Sequence, residues 1–295
     1  VEALPDGKRR NVLAGHPGPV VSDRRLRALE VLRLPIDNDV YNRMGEGWWE
    51  EENPLNILHG SITPGRFAYF RQVLTRLGLD PGGLRALDIG CGGGFLAEEF
   101  ARLGCQVVGV DPSEVSIETA RRHAATTALD VDYRVGSGER LPVADGEFDL
   151  AYCCDVLEHV ADLNAVIGET ARAVKPAGIF LFDTINRTLA SKLLAIKVMQ
   201  EWRFTRFIDS AVHEWAMFIK PEELVVILGR HGFRIGEIVG LGPRSTKPLV
   251  LLNFMKASRG MISYGELSRR LEAGQVKNTS LSYMGFATRT ERTRG

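Results

Sequence analysis

One run of residues constrains this chain more than any other. Leu84 to Ile89 reads as a buried strand and empties into glycines at alternate positions, Gly90, Gly92 and Gly94. Without Cβ atoms these glycines take tight-turn dihedrals and let a ligand reach the backbone. Phe95 to Leu103 then carries Phe95, Leu96, Phe100 and Leu103 at helical spacing, and a second apolar strand, Val107 to Val110, ends on Asp111. Strand, glycine turn, helix, strand and acid is the order of a nucleoside-binding α/β unit, with the carboxylate placed to accept both ribose hydroxyl protons.

The glycine spacing narrows the nucleoside. In a dinucleotide fingerprint, G-x-G-x-x-G, the third glycine would fall on Phe95; here the pattern is D-x-G-x-G-x-G with Asp88 inside the strand's end. An acid there is unwelcome beside a pyrophosphate and suits a ligand with an amino or sulfonium cation. The pattern resembles the first motif of class I S-adenosylmethionine-dependent methyltransferases. The plainer alternative is a glycine-rich turn with no ligand, and the flanking strand, helix and acid weigh against it.

The 37 basic and 37 acidic residues balance, which argues against a nucleic-acid binder. Cys91, Cys105, Cys153 and Cys154 have no metal-site spacing and no secreted disulfide pattern, so the expected setting is reducing cytosol. No apolar stretch is long enough to span a bilayer, and no apolar signal core follows Lys8, Arg9 and Arg10.

Along the chain, a short helix is expected around Asp23 to Leu32 and a longer one over Arg66 to Leu77. Trp48 and Trp49, paired in a polar stretch, are expected to pack against a core or a ligand. After the first unit come a helix over Val115 to Ala128, a strand over Val131 to Val135, a strand over Phe148 to Cys154 and a helix over Leu163 to Val174. A turn at Lys175 to Gly178, a strand over Ile179 to Asp183 and a helix over Pro221 to His231 follow, with closing strands near 234–241 and 280–289. The alternation predicts an α/β fold, Rossmann-like, with a seven-stranded, mainly parallel sheet covered by helices on both faces. Residues 1–45 read as an arm, and 46–295 as one domain with a helical insert at about 188–220.

In an open α/β sheet the ligand sits beyond the carboxyl ends of the strands. Those ends supply Asp88 and the glycines, Asp111, then Ser137-Gly138-Glu139, then Cys154-Asp155 through Glu158-His159, and Asp183 to Arg187. If a helical turn starts at Asp155, then Asp155, Glu158 and His159 share a face and form a candidate site for a divalent cation, Mg²⁺ above all. Two other readings stand beside it: His159 as general base, or Asp155 as a helix cap with Glu158 and His159 structural.

The runs ALDIGCGGG, DVLEHV, VKPAGIFLFDTINRT and HEWAMFIKPEEL together resemble the ubiquinone-biosynthesis O-methyltransferases, from about Trp48 to Ala287. That resemblance implies an S-adenosylmethionine cofactor held by Arg66, Gly90, Asp111 and Cys154. It also implies a Glu-x-x-Glu-His metal site falling on Asp155, Glu158 and His159, with Asp155 shorter by one methylene than the family's glutamate. Ser137 and Gly138 stand where class I enzymes often place an acid on the adenine amino group, so backbone contacts there are expected.

The insert from Thr188 to Phe207 carries one stripe of Leu189, Leu193 and Ile196 and another of Leu194, Val198 and Trp202, with Lys192, Lys197, Arg203 and Arg206 adding charge. The resemblance associates this region with peripheral membrane contact, whereas apolar residues on both sides fit a lid packed on the core. The expected reaction is methyl transfer to a phenolic or catechol oxygen, on a substrate that the resemblance extends to a polyprenylated quinol precursor. The competing readings are a methyltransferase of secondary metabolism, a non-catalytic cofactor-binding protein and a nicotinamide oxidoreductase.

Overall fold

The computed structural model describes residues 36–206, 212–245 and 247–291. The helix expected over Asp23 to Leu32 lies outside them. After a short helix α1 (Val40–Met44), helix α2 (Ile62–Leu77) begins a turn earlier than its apolar pattern suggested. Pro64 is tolerated in that first turn, where no intrahelical N–H partner is missing, and Gly78 at φ +69° closes the helix.

Strands β1 (Arg85–Ile89), β2 (Gln106–Asp111), β3 (Val131–Val135), β4 (Phe148–Cys153) and β5 (Val174–Ile185) form a parallel half-sheet. Helices α3 (Phe95–Arg102), α4 (Glu114–Thr126) and α5 (Leu163–Ala173) connect or flank them. Helix α6 (Pro221–Arg230) then leads to β6 (Phe233–Pro243). Helices α7 (Lys247–Ala257) and α8 (Tyr264–Leu271) precede β7 (Ala273–Val276) and β8 (Ser282–Arg289). The sheet order is β3-β2-β1-β4-β5-β8-β6-β7, with β5, β8, β6 and β7 paired antiparallel. The expected seven strands are therefore eight. The addition is the four-residue edge strand β7, whose sequence Ala-Gly-Gln-Val offers too short an apolar pattern to read as a strand.

Period-two alternation sends neighbours in β1 to opposite faces. Leu87 and Ile89 join one core with Val166 and Ile167 of α5 and Leu224 and Leu228 of α6. Ala86 joins the other with Phe70 and Val73 of α2, Phe100 of α3 and Ile117 of α4. Asp88 shares that second face, 3% exposed. The turn expected at Lys175 to Gly178 is a bulge inside β5: between Phe148 and Leu150 of β4 the partner advances from Val174 to Ile179. Ala177 at φ +63° bends the chain out there.

A smaller apolar cluster of Ile57, Val198, Val250, Phe254 and Leu267 caps one end of the site. It is tied to the sheet through serines. The backbone N–H of Ser61 donates to Ser268 Oγ at 3.0 Å, and the backbone N–H of Ala273 donates to Ser61 Oγ at 3.1 Å.

The insert is one α-helical turn (Leu189–Ser191) continuing into a π-helix (Lys192–Glu201). The stripe expected from Leu189, Leu193 and Ile196 does not form: Ile196 is 8% exposed while Leu189 is 81% and Leu193 52%. Wider π-helical turns, bonded i to i+5, rotate each side chain away from its α-helical position.

Candidate active site

Gly90, Gly92 and Gly94 all adopt positive φ, at +76°, +49° and +88°, as a tight turn between β1 and α3 demands. The turn is held from two sides. From below, Asp111 at the end of β2 accepts the Gly92 N–H on Oδ2 at 2.9 Å and the Ser113 N–H on Oδ1 at 2.8 Å. From above, Trp48 covers Gly92 and Gly93, where an added Cβ would come within 2.8 and 2.4 Å of its ring.

Both tryptophans are fastened. Trp48 Nε1–H donates to Ser116 Oγ at 2.9 Å, and Trp49 Nε1–H donates to the Gly93 carbonyl at 2.9 Å. Trp49 also stacks on His123, with ring centroids 3.4 Å apart. The sequence marked the pair as packing residues but could not say on what; they roof the glycine turn.

The turn opens into a cavity of about 660 Å³. Its polar end is lined by Arg66, Asp88, Gly90, Gly92, Asp111, Ser137, Gly138, Cys154, Asp155 and His159. Nearly every cofactor residue expected from sequence is thus brought to one place; Gly94 lies just behind, as the residue preceding α3. Asp88 Oδ2 is buried without a hydrogen-bond partner, and burial beside Asp111 pushes its carboxyl well above the ordinary carboxylate range. A cation placed there would restore its charge, which fits the amino or sulfonium group of S-adenosylmethionine. Burial also raises Asp111, to about 6, against the opposing pull of the Ser113 and Gly92 amides.

Ser137 and Gly138 sit as expected, and the acid of this loop is the next residue. Glu139 accepts from Ser137 Oγ and, at 3.0 Å, from the Ala161 N–H. Arg66 reaches in from α2, 3% exposed, hydrogen-bonded to Asp155 and with Nε 3.2 Å from Asp183 Oδ2.

The expected face shared by Asp155, Glu158 and His159 is absent. Asp155 has φ +54°, outside the helical region, and the helix begins only at Leu163, capped by Asp162, which accepts the Ala165 N–H at 2.9 Å. The three side chains have different partners. Asp155 is committed to Arg66, Glu158 accepts from Thr184 Oγ1 at 2.7 Å, and the His159 ring lies edge-on to Tyr41 at 6.1 Å. Among the described residues no group of three His, Cys, Asp or Glu side chains is arranged to hold a metal ion. A guanidinium on Asp155 is a poor neighbour for a second cation, so this arrangement does not fit the expected Mg²⁺ site.

His159 stands apart from such a cluster. Burial lowers its pKa to about 4, so the ring is neutral through the physiological range. Its Nδ1 is buried without a partner. Burial and the Asp155 charge push Glu158 above the usual carboxylate range.

Three lining residues were not singled out from sequence. Tyr41 stacks parallel to Trp48 at 6.3 Å and so lies between the glycine turn and His159. Asn38 donates through Nδ2 to the His159 carbonyl at 3.0 Å. His213 sits with its ring centroid 5.0 Å from that of His159. None belongs to a motif with its own chemistry; the one usable signal was His213's place in the run HEWAMFIKPEEL.

The far end of the cavity is apolar, lined by Leu194, Met199, Val250, Phe254 and Leu271. Outside it, Leu189, Leu193, Trp202 and Phe204 of the insert are exposed, as are Leu249 and Leu252 of α7. Ser258 Oγ donates to the Phe204 carbonyl at 2.6 Å and holds the two segments together. In the insert, Lys192 lies 4.7 Å over the Trp215 ring and Lys197 pairs with Glu201. No helix among the described residues is long and apolar enough to cross a membrane.

Residues 87–182 match the family model of a methyltransferase domain. The chain is 38% identical over 222 residues to a ubiquinone biosynthesis O-methyltransferase of Brucella anthropi, covering 72% of this chain and 88% of that one. It is 39% identical over 208 residues to the enzyme of that name from Azorhizobium caulinodans, covering 68% and 81%. Among solved structures, a SAM-dependent methyltransferase of Thermotoga maritima matches with TM-score 0.56 at 18% identity, over 85% of this chain and all of that one. The magnesium protoporphyrin IX methyltransferase of Synechocystis, solved with bound SAH, matches with TM-score 0.50 at 18% identity, over 90% and 94%. At such identities these two structures speak for the fold alone.

Proposed function

Because this chain belongs to the ubiquinone-biosynthesis O-methyltransferases, which are class I S-adenosylmethionine-dependent methyltransferases, we propose that it methylates a phenolic oxygen on a catechol ring bearing an apolar tail. The observation that carries this reading is one cavity with two unlike ends. Glycines, Asp88 and Asp111 line one end, and Leu194, Val250 and Phe254 the other, with His159 on the wall.

S-Adenosylmethionine supplies an electrophilic methyl on a sulfonium that needs no activation. The protein's share is alignment and deprotonation. Asp111 and the glycine turn fix the nucleoside. Arg66, Asp88 and Tyr41 shape the space between nucleoside and acceptor. Neutral His159, on the cavity wall, is the acceptor for the phenolic proton. The exposed leucines around the apolar end suit contact with a membrane surface, where a polyprenyl tail would reside.

The test is methyl transfer to a panel of tailed catechols, simple catechols and aromatic acids, with and without chelator. Tailed catechols are expected to be methylated fastest, and chelator to leave the rate unchanged. Preference for the acids would overturn the substrate reading. A rate lost to chelator and restored by Mg²⁺ would show that Asp155, Glu158 and His159 regroup around an ion.

A further inference from the structure

The histidine nearest His159 has no part in the scheme above, yet it has the features of a ligand-facing group. His213 lines the same cavity, with its ring centroid 5.0 Å from that of His159 and tilted 44° to it. Nδ1 of each ring is buried and lacks a hydrogen-bond partner. Buried polar groups without partners are uncommon in native proteins. Two neutral imidazoles side by side on one cavity wall suit a ligand with two neighbouring polar atoms.

The scaffold holds His213 for this purpose from several directions. Gln200 of the π-helical insert grips its backbone at both groups. The His213 N–H donates to Gln200 Oε1 at 2.6 Å, and Gln200 Nε2 donates to the His213 carbonyl at 3.0 Å. Phe218 meets the ring edge-on at 5.9 Å. The residue before His213, Val212, is buried and lines the same cavity. The His213 segment is therefore held by the insert that also walls the apolar end.

We propose that His213 reads the second hydroxyl of the acceptor, so that the His159–His213 pair selects rings with oxygens on adjacent carbons and presents one of them to the methyl group. This rests on the catechol reading above. His213 is thereby a specificity and positioning residue, distinct from the proton acceptor. A site built to hydrogen-bond a hydroxyl discriminates strongly against the analogue that lacks it, because the site's own polar group is then left unpaired.

The experiment compares kcat and KM for a catechol and for the matching monophenol in the full-length enzyme, His213→Ala and His213→Asn. The asparagine amide keeps a polar atom near the position of Nδ1. The wild type is expected to prefer the catechol at least 100-fold in kcat/KM. His213→Ala is expected to shrink that preference at least tenfold, mainly through KM of the catechol, and His213→Asn to recover a good part of it. S-Adenosylhomocysteine affinity, measured on the same preparations, reports whether the cofactor end is intact. Equal losses on catechol and monophenol, or an unchanged preference, would overturn the role of His213 and leave the catechol reading standing. A wild type that methylates neither acceptor would instead overturn the catechol reading itself.

Discussion

The parallel half of the sheet and the antiparallel half meet at β5, and they serve different ends of one cavity. Strands β1 to β4 deliver the glycine turn, Asp111, the 137–139 loop and Asp155 from their carboxyl ends. Each of these positions follows from a local pattern, since a strand's end fixes where the next few residues go. The antiparallel side, with the insert, α7 and α8, is assembled by contacts between distant residues. Ser61 meets Ser268, Asn186 Nδ2 donates to the Thr279 carbonyl at 2.8 Å, and Gln200 holds His213. The end that holds a cofactor common to many enzymes is built locally, and the end that must suit one acceptor is built from tertiary contacts.

If the two ends are separable, variants in each should fail differently. The largest effect is expected from His159→Ala, which removes the proton acceptor and should lower kcat by roughly 10²–10⁴-fold in steady-state assays. Next, shortening a linear alkyl tail on the acceptor should reduce kcat/KM by about fourfold per buried methylene, at about 0.8 kcal/mol each. That dependence should end abruptly once the tail no longer fills the Leu194–Phe254 end. A flat response to tail length would break the comparison, because the apolar end would then have no occupant.

A smaller effect concerns pH. Burial raises the Asp111 carboxyl to about 6 in the ligand-free fold, above its unfolded value. Its stabilising contribution is therefore fully present below the unfolded pKa of about 3.9 and is lost as pH rises through about 6. Ribose binding needs the opposite form, the accepting carboxylate. S-Adenosylhomocysteine affinity should thus weaken as pH falls below about 6, by up to tenfold per unit, and Asp111→Asn should flatten that dependence. Calorimetric titrations at pH 5 to 8 measure both.

The same contrast explains what the sequence could and could not reveal. The strand over Val131 to Val135 matches residue for residue, and the glycines adopt the positive φ their spacing implied. The Asp155 cluster misled because spacing argues for a shared face only on a helix, and Asp155 at φ +54° is not on one. The insert misled because nothing local announces a π-helix, and α-helical stripes drawn on it pair Ile196 with the wrong neighbours. Tyr41 and His213 carry no spacing signal, since what brings them to the cavity is Trp48 for one and Gln200 for the other.

The most direct test of the two-ended cavity is calorimetric titration of S-adenosylhomocysteine into wild type, Asp111→Ala and His159→Ala. Asp111→Ala loses the charge-assisted ribose bonds, worth about 1.5–3 kcal/mol, and should bind at least tenfold more weakly with its fold intact. His159→Ala should bind as tightly as wild type while failing in turnover. Unchanged affinity in Asp111→Ala, or an equal loss in both variants, would contradict the account.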